Sequence, residues 1–436
     1  MASISGGQYS FFAGGQAVNV VTTPDGTNLP PPVLGQFNLE LITSLGDPSG
    51  IPAGYQGVAM ESADGRTMDL VAGNYGVRVG GGGPHTIIAG TGNDTIYGGS
   101  GDDQIYGGSG VDMLYGDAGN DTIYGGSGPE TIRGGSGDDV IYGGSGPGEI
   151  YGGTGNDTIY GGTGPETIRG GSGDDLIYGG SGPSMLYGDA GNDTIYGGTG
   201  PETIRGGDGT DLIYGGSGPG ELYGGTGNDT IYGGTGPETI RGGSGDDLIY
   251  GGSGPSMLYG DAGNDTIYGG SGPETIRGGD GNDLIYGGSG AGELYGGDGN
   301  DTIYGGSGPE TISGGGGNDL LYGGSGPSEL YGGAGDDKIY GGSGGDTIDG
   351  GSGNNTIYGG TGHDLISESG AGSHDTVFGF SHAGGDAISF AGETSQTVQQ
   401  VVATAQESHG NTTITLPDGS TMTLVGVTQI DHTFFH

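Results

Sequence analysis

Fourteen aspartates recur at every eighteenth position without a gap: Asp103, Asp121, Asp139, Asp157, Asp175, Asp193, Asp211, Asp229, Asp247, Asp265, Asp283, Asp301, Asp319 and Asp337. Carboxylates are hard oxygen donors, and a regular column of them offers cation binding. Stacked about 5 Å apart, as neighbouring strands are, bare carboxylates would repel one another and raise each other's pKa. A divalent cation between each pair turns that repulsion into bridging. Calcium accepts six to eight oxygen ligands in loose geometry, which carboxylates and turn carbonyls can supply, whereas magnesium demands a strict octahedron. The gaps between these carboxylates predict about 13 calcium ions, and Asp94 with Asp112 and Asp346 with Asp364, on the interleaved register, would bracket about two more.

The column implies elements that repeat with it. From Gly80 to Ser367 the chain divides into 32 consecutive nonads without an insertion. Their eighth position is Ile or Leu throughout, from Ile87 to Ile366, while the seventh and ninth are mostly polar or Tyr. Three residues with one apolar side chain in the middle make a short strand whose centre points inward. The preceding GGxGx segment supplies glycines that tolerate the positive φ of a tight turn. Two nonads then close one coil, and about 16 coils at about 4.8 Å each give a rod of roughly 77 Å with two parallel sheets over a narrow core.

Nonads such as AGTGNDTIY (89–97), GGSGDDQIY (98–106) and GGTGNDTIY (152–160) resemble the GGxGxDxUx repeats of the RTX (repeats-in-toxin) family of calcium-binding β-rolls. The resemblance spans about two thirds of the chain. It implies an all-β, right-handed parallel β-roll (a β-solenoid) with calcium in the turns, held between successive turns by Asp carboxylates and backbone carbonyls.

Nonads of even number stack on the opposite edge and differ. Between the sixth and the twenty-eighth they read PE, PS, PG or AG at positions five and six, as in Pro129-Glu130, Pro183-Ser184 and Pro219-Gly220. An acidic residue returns only every second coil, so no adjacent carboxylate pair exists. This stretch is expected to bind little or no calcium, with proline fixing φ and lowering the entropy lost on folding.

Position nine makes two outward columns. On the odd sheet it is Tyr in fifteen successive nonads, Tyr106 to Tyr358. On the even sheet it alternates as Arg133, Tyr151, Arg169, Tyr187, Arg205, Tyr223, Arg241, Tyr259, Arg277, Tyr295. Stacking each guanidinium on a neighbouring ring contributes about 0.5–1 kcal/mol per exposed contact, and Glu149, Glu221 and Glu293 lie diagonally within salt-bridge reach. A periodic Tyr and Arg face is also the composition that interfaces favour. Thr is scattered at position three, so no continuous Thr face for ice is expected.

The ends read differently from the repeats. Residues 1–79, with FNLELI (37–42), MDLVAG (68–73) and YGVRV (75–79) broken by PDG, PPP and DPSG turns, predict a β-rich capping or assembly domain ahead of the roll at 80–367. Residues 368–436 contain DTVFGF (375–380), DAISF (386–390), a helix expected around Thr397–Glu407 and a hairpin turning at Pro417-Asp418-Gly419. That tail resembles the C-terminal segments through which RTX proteins leave Gram-negative cells by type I secretion. The N-terminus carries no Lys or Arg before Arg66, so it lacks the charged start of a secretory signal.

Composition bounds the function. With 53 Asp plus Glu against 8 Lys plus Arg and a formal charge of -45, a compact fold repels itself unless cations bind, and nucleic acid and anionic membranes are poor partners. About 15 calcium ions would bring the charge to roughly -15. There is no cysteine, no apolar run long enough for a membrane span, no HExxH pair and no P-loop, the sole lysine being Lys338. No enzyme is expected. The chain reads as a secreted, extracellular structural protein, with the surface of a Gram-negative cell as one expected location, that calcium folds into a rod and that assembles with itself into a filament, sheath or surface layer. The other reading is an adhesin or biofilm-matrix binding module that stays monomeric or cell-attached.

Overall fold

The computed structural model describes residues 82–436 throughout, and before them the strands Gly7–Ala13, Gln16–Thr23, Phe37–Ile42, Ser49–Ile51, Gly57–Glu61, Thr67–Leu70 and Gly76–Gly80. The PDG (24–26) and PPP (30–32) turns, residues 47–48 and residues 71–73 lie outside the described residues. The fold is an all-β parallel β-solenoid of about 17 turns with very little helix. Contacts divide the chain into two compact units, Met1–Gly218 and Pro219–His436.

In the first unit the odd nonads give five-residue strands such as Thr122–Gly126 and Val140–Gly144, and the even nonads give seven-residue strands such as Glu130–Ser136 and Gly148–Thr154. Like strands pair in parallel at a step of one coil, with Ile123 opposite Ile141 and Ile132 opposite Ile150. The central Ile or Leu of each nonad points inward and is at most 1% exposed from Ile87 to Leu186 and beyond, so the two sheets meet over a core one residue wide. Each buried Ile or Leu contributes about 1.5–3 kcal/mol. The segment ahead of the nonads joins the same sheets. Phe37–Ile42, Gly57–Glu61 and Gly76–Gly80 pair in parallel, and Gly76–Gly80 pairs with Thr95–Ser100. Gly7–Ala13 and Gln16–Thr23 form an antiparallel pair.

The second unit repeats the pattern, with Ile249 opposite Ile267 and Leu258 opposite Ile276. It ends in the expected C-terminal elements. His374–Phe378 extends the odd sheet by pairing with Thr356–Gly360, and Ala387–Phe390 extends the even sheet by pairing with Leu365–Glu368. Asn411–Thr415 and Thr421–Leu424 form the antiparallel hairpin around Pro417-Asp418-Gly419. The helix is Ser395–Thr404, capped by a reciprocal pair of bonds between Thr394 and Thr397. It stops short of Glu407 because Gln406–Ser408 pairs as a strand with Asn411–Thr415.

Candidate functional site

Within each unit the aspartates of the odd edge are locked by their neighbours. The backbone N–H of Asp121 donates to Oδ1 of Asp139 at 2.7 Å, Asp139 to Asp157 at 2.8 Å and Asp157 to Asp175 at 2.7 Å. In the second unit Asp229 donates to Asp247 at 2.7 Å, Asp247 to Asp265 at 2.8 Å and Asp301 to Asp319 at 2.8 Å. Oδ1 is thereby satisfied. Oδ2 is not: in Asp103, Asp121, Asp139, Asp157, Asp175, Asp193, Asp211, Asp229, Asp247, Asp265, Asp283, Asp301, Asp319 and Asp337 it is buried without a hydrogen-bond partner. These side chains are only 1–2% exposed. Burial, and then the carboxylates above and below, push Asp139 and Asp175 up to about 8 and Asp121, Asp247, Asp301 and Asp337 up to about 7. An ionised buried carboxylate must be paired or protonated, so each rung offers one anionic oxygen to a cation.

Glycine makes room for that oxygen. At Gly188, the first position of its nonad, a Cβ would collide with Asp193 Oδ2 and lie 2.6 Å from the carbonyl oxygen of Gly206 in the next coil. The carboxylate oxygen and a backbone carbonyl therefore share one glycine-lined space. Positions two and four of the same turns hold positive φ, as at Gly135 (127°) and Gly137 (120°), a conformation only glycine adopts without cost. Among the described residues no group of three or more His, Cys, Asp or Glu is arranged to hold a metal. An ion on this edge must complete its shell with carbonyls, which suits calcium.

The proline edge is built differently. Gly128, Gly146 and Gly164, each before a proline, and Gly290, before Ala291, lack the positive φ of their odd counterparts. The proline carbonyl then takes the role of the carboxylate: Glu130 N–H donates to Pro147 O at 3.1 Å and Glu166 N–H to Pro183 O at 3.1 Å. Glu130, Glu166, Glu202, Glu238, Glu274 and Glu310 lie 4–5% exposed with at least one unpartnered Oε each. Burial pushes Glu166 up to about 8 and Glu202 and Glu274 up to about 7. The residues opposite Glu166 are Gly148 and Ser184, so the next carboxylate of this column is Glu130, two coils away, whose charge still raises Glu166.

At the ends of this edge the expected pairs do meet. Asp94 N–H donates to Asp112 Oδ1 at 2.8 Å, and Asp346 N–H to Asp364 Oδ1 at 3.0 Å. Asp364 in turn donates to Asp386 Oδ1 at 3.2 Å. Asp386 was not picked out from the sequence because it follows Asp364 by 22 residues, not 18. The odd column has two such additions. His85 occupies position six of the first nonad, and its backbone N–H and Nδ1 contact Asp103 Oδ1 at 2.7 and 2.8 Å. At the other end Asp337 donates to Asn355, and Asn355 to Asp375, which lies 20 residues on.

The outward faces stack as their columns suggest. Tyrosine rings from Tyr106 to Tyr196 lie 4.7–4.9 Å apart and nearly parallel. Arg133 lies over Tyr151 at 4.5 Å, Arg169 over Tyr187 at 4.1 Å, Arg241 over Tyr259 at 4.1 Å and Arg277 over Tyr295 at 4.8 Å. Arg205 is paired in register with Tyr187, and Tyr223 with Arg241. The anionic partners differ from expectation. Arg169 binds Asp189 at 2.8 Å and Arg241 binds Asp261 at 2.9 Å. Glu149, Glu221 and Glu293 instead accept from the hydroxyls of Tyr151, Tyr223 and Tyr295. Asp189 and Asp261 stand at position two with φ of 77° and 76°, where glycine is usual. That single departure aims a carboxylate at the arginine.

The family profile described as the RTX calcium-binding nonapeptide repeat, in four copies, matches eight times in succession, over residues 79–114, 115–150, 151–186, 187–222, 223–258, 259–294, 295–330 and 331–366. No curated protein matches the chain. Among solved structures, a hyperactive, Ca2+-dependent, β-helical antifreeze protein from an Antarctic bacterium is 21% identical over 71% of this chain and 82% of its own, with a TM-score of 0.23. At that TM-score the likeness carries no argument about function.

Proposed function

The chain belongs to the family of RTX calcium-binding nonapeptide-repeat proteins, and on that premise we propose that it is an extracellular structural protein folded by calcium along one edge. The observation that carries this reading is the column of buried Oδ2 atoms without partners. Asp103 to Asp337 would hold about 13 ions and the pairs Asp94/Asp112 and Asp346/Asp364 about two more, each sharing carboxylate oxygens with glycine carbonyls. Bound calcium supplies the positive charge that lets those oxygens stay ionised inside the fold. The proline edge between Glu130 and Ser328 takes little or none.

The charge of -45 makes calcium a compartment switch. At the sub-micromolar calcium of a cell interior the chain stays unfolded and can be threaded through a type I exporter, for which residues 368–436 act as the signal; millimolar calcium outside folds it. The folded protein associates with further copies into a filament, sheath or surface layer, with the face formed by Arg133, Arg169, Arg205, Arg241, Arg277 and their tyrosines as the docking surface. Among the described residues no helix is long and apolar enough to cross a membrane. Electron microscopy of the chain in millimolar calcium tests the assembly: ordered polymers support it, and persistent monomers favour the adhesin or matrix-module reading.

A further inference from the structure

We propose that the tyrosine column of the odd sheet is a modification site: hydrogen peroxide, acting through one-electron steps, couples successive tyrosines to dityrosine and so joins neighbouring coils covalently. In the first unit the rings from Tyr106 to Tyr214 follow one another at 4.7–4.9 Å with interplanar angles of 1–6°. In the second the rings from Tyr232 to Tyr358 do so at 4.7–5.0 Å and 2–8°. These side chains are half-buried, and Tyr160 is 37% exposed, so an oxidant reaches them from solvent. The chain holds 26 tyrosines but neither tryptophan nor cysteine, so the side chains that compete best for a one-electron oxidant are missing. Methionine oxidation ends at a sulfoxide and links nothing.

Two neighbouring phenols each lose one electron and the hydroxyl proton. The resulting phenoxyl radicals join through their ortho carbons in one C–C bond, and the hydrogens on those carbons move to the oxygens. The pair has then lost two hydrogens in all, and one hydrogen peroxide is reduced to two waters. In dilute solution two radicals must find each other, whereas the parallel sheet holds each ring one strand spacing from the next, which makes the encounter local. The even sheet is built against this. Tyr151 stands in register with Arg133 and Arg169, and Tyr187 with Arg169 and Arg205, so the next ring is two coils away, about 9.6 Å. A link such as Tyr142 to Tyr160, paired across adjacent coils, restrains the unfolded chain as a disulfide would and holds the coils together when calcium is withdrawn. That hardening rests on the calcium reading; the coupling depends only on the stack.

The full chain in millimolar calcium, mixed as isotope-labelled and unlabelled protein and treated with hydrogen peroxide and a haem peroxidase, tests it by proteolysis and mass spectrometry. Linked peptides, each pair lighter by two hydrogens, should join odd-sheet segments such as DTIYGG (157–162) and DLIYGG (175–180) within one molecule, and not the even-sheet segments GEIYGG (148–153) and SMLYGD (184–189). Replacing Tyr142, Tyr160 and Tyr178 together by Phe, which keeps the aromatic stack, should lower dityrosine fluorescence, and replacing Tyr151 and Tyr187 should leave it unchanged. No dityrosine under conditions that couple N-acetyltyrosine, links as frequent on the even sheet as on the odd, or links chiefly between labelled and unlabelled molecules would overturn the site. Circular dichroism in chelator separates the two readings. β signal kept by the linked chain and lost by the unlinked one supports the hardening, and its loss from both overturns it. An unlinked chain that keeps its β signal overturns the calcium reading and leaves the coupling standing.

Discussion

An aspartate at position six has two oxygens with different duties. Oδ1 of Asp247 satisfies the backbone of Asp229, and Oδ2 is buried without a hydrogen-bond partner, free for the proposed cation. Asp247→Ala therefore leaves a buried N–H unmet, at about 1–3 kcal/mol, and removes a ligand; calorimetric titration should show fewer ions and a lower melting temperature. Glu238→Gln, on the proline edge, should leave calcium stoichiometry unchanged, and a drop equal to that of Asp247→Ala would contradict the asymmetry. Protons compete with calcium for the same oxygens. Without metal, burial raises Asp121 to about 7 and Asp139 and Asp175 to about 8, against about 4 in an unfolded chain. The calcium-free fold then binds more protons than the unfolded chain, so this stability is fully present below about pH 4 and is lost as pH rises from there through about 7 to 8. Circular dichroism in chelator should show β structure near pH 4 and its loss at pH 8; greater β content at pH 8 would contradict the buried-carboxylate account.

At the scale of the element, one coil carries two turns that solve the same backbone problem by different means. The aspartate turn uses positive φ at two positions and a carboxylate acceptor, while the proline turn uses one positive φ and a proline carbonyl. Pro165→Ala should cost about 0.4–1 kcal/mol through the unfolded chain and leave calcium binding alone, as thermal melts with and without calcium would show. Arg169→Ala should lose about 0.5–1 kcal/mol of stacking on Tyr187 together with its exposed pair to Asp189; an equal loss in Arg169→Lys would point to charge rather than the planar stack. The nine-residue period made the strands, the inward Ile and Leu and the aspartate column legible in the sequence. The arginine partners were not, because Asp189 and Asp261 sit at a glycine position in a backbone conformation that composition does not reveal.

Across the molecule, periodicity is both the source of legibility and its limit. A strict step of 18 found Asp94, Asp112, Asp346 and Asp364, but passed over Asp375 and Asp386, whose coils are longer by two and four residues. It also stopped at Gly80, although parallel pairing runs back to Gln16–Thr23, because the sequence before Gly80 lacks the repeated GGxGx segments that mark the period. On the proposed reading, charge neutralisation by calcium along one side would add to the narrow Ile and Leu core. The most direct measurement is a calcium anomalous difference map from crystals grown in millimolar calcium at pH 7.5. It should show a row of ions beside Asp103 to Asp337 and none beside Glu166, Glu202, Glu238 and Glu274. An empty aspartate edge, or equal density on both edges, would contradict the account.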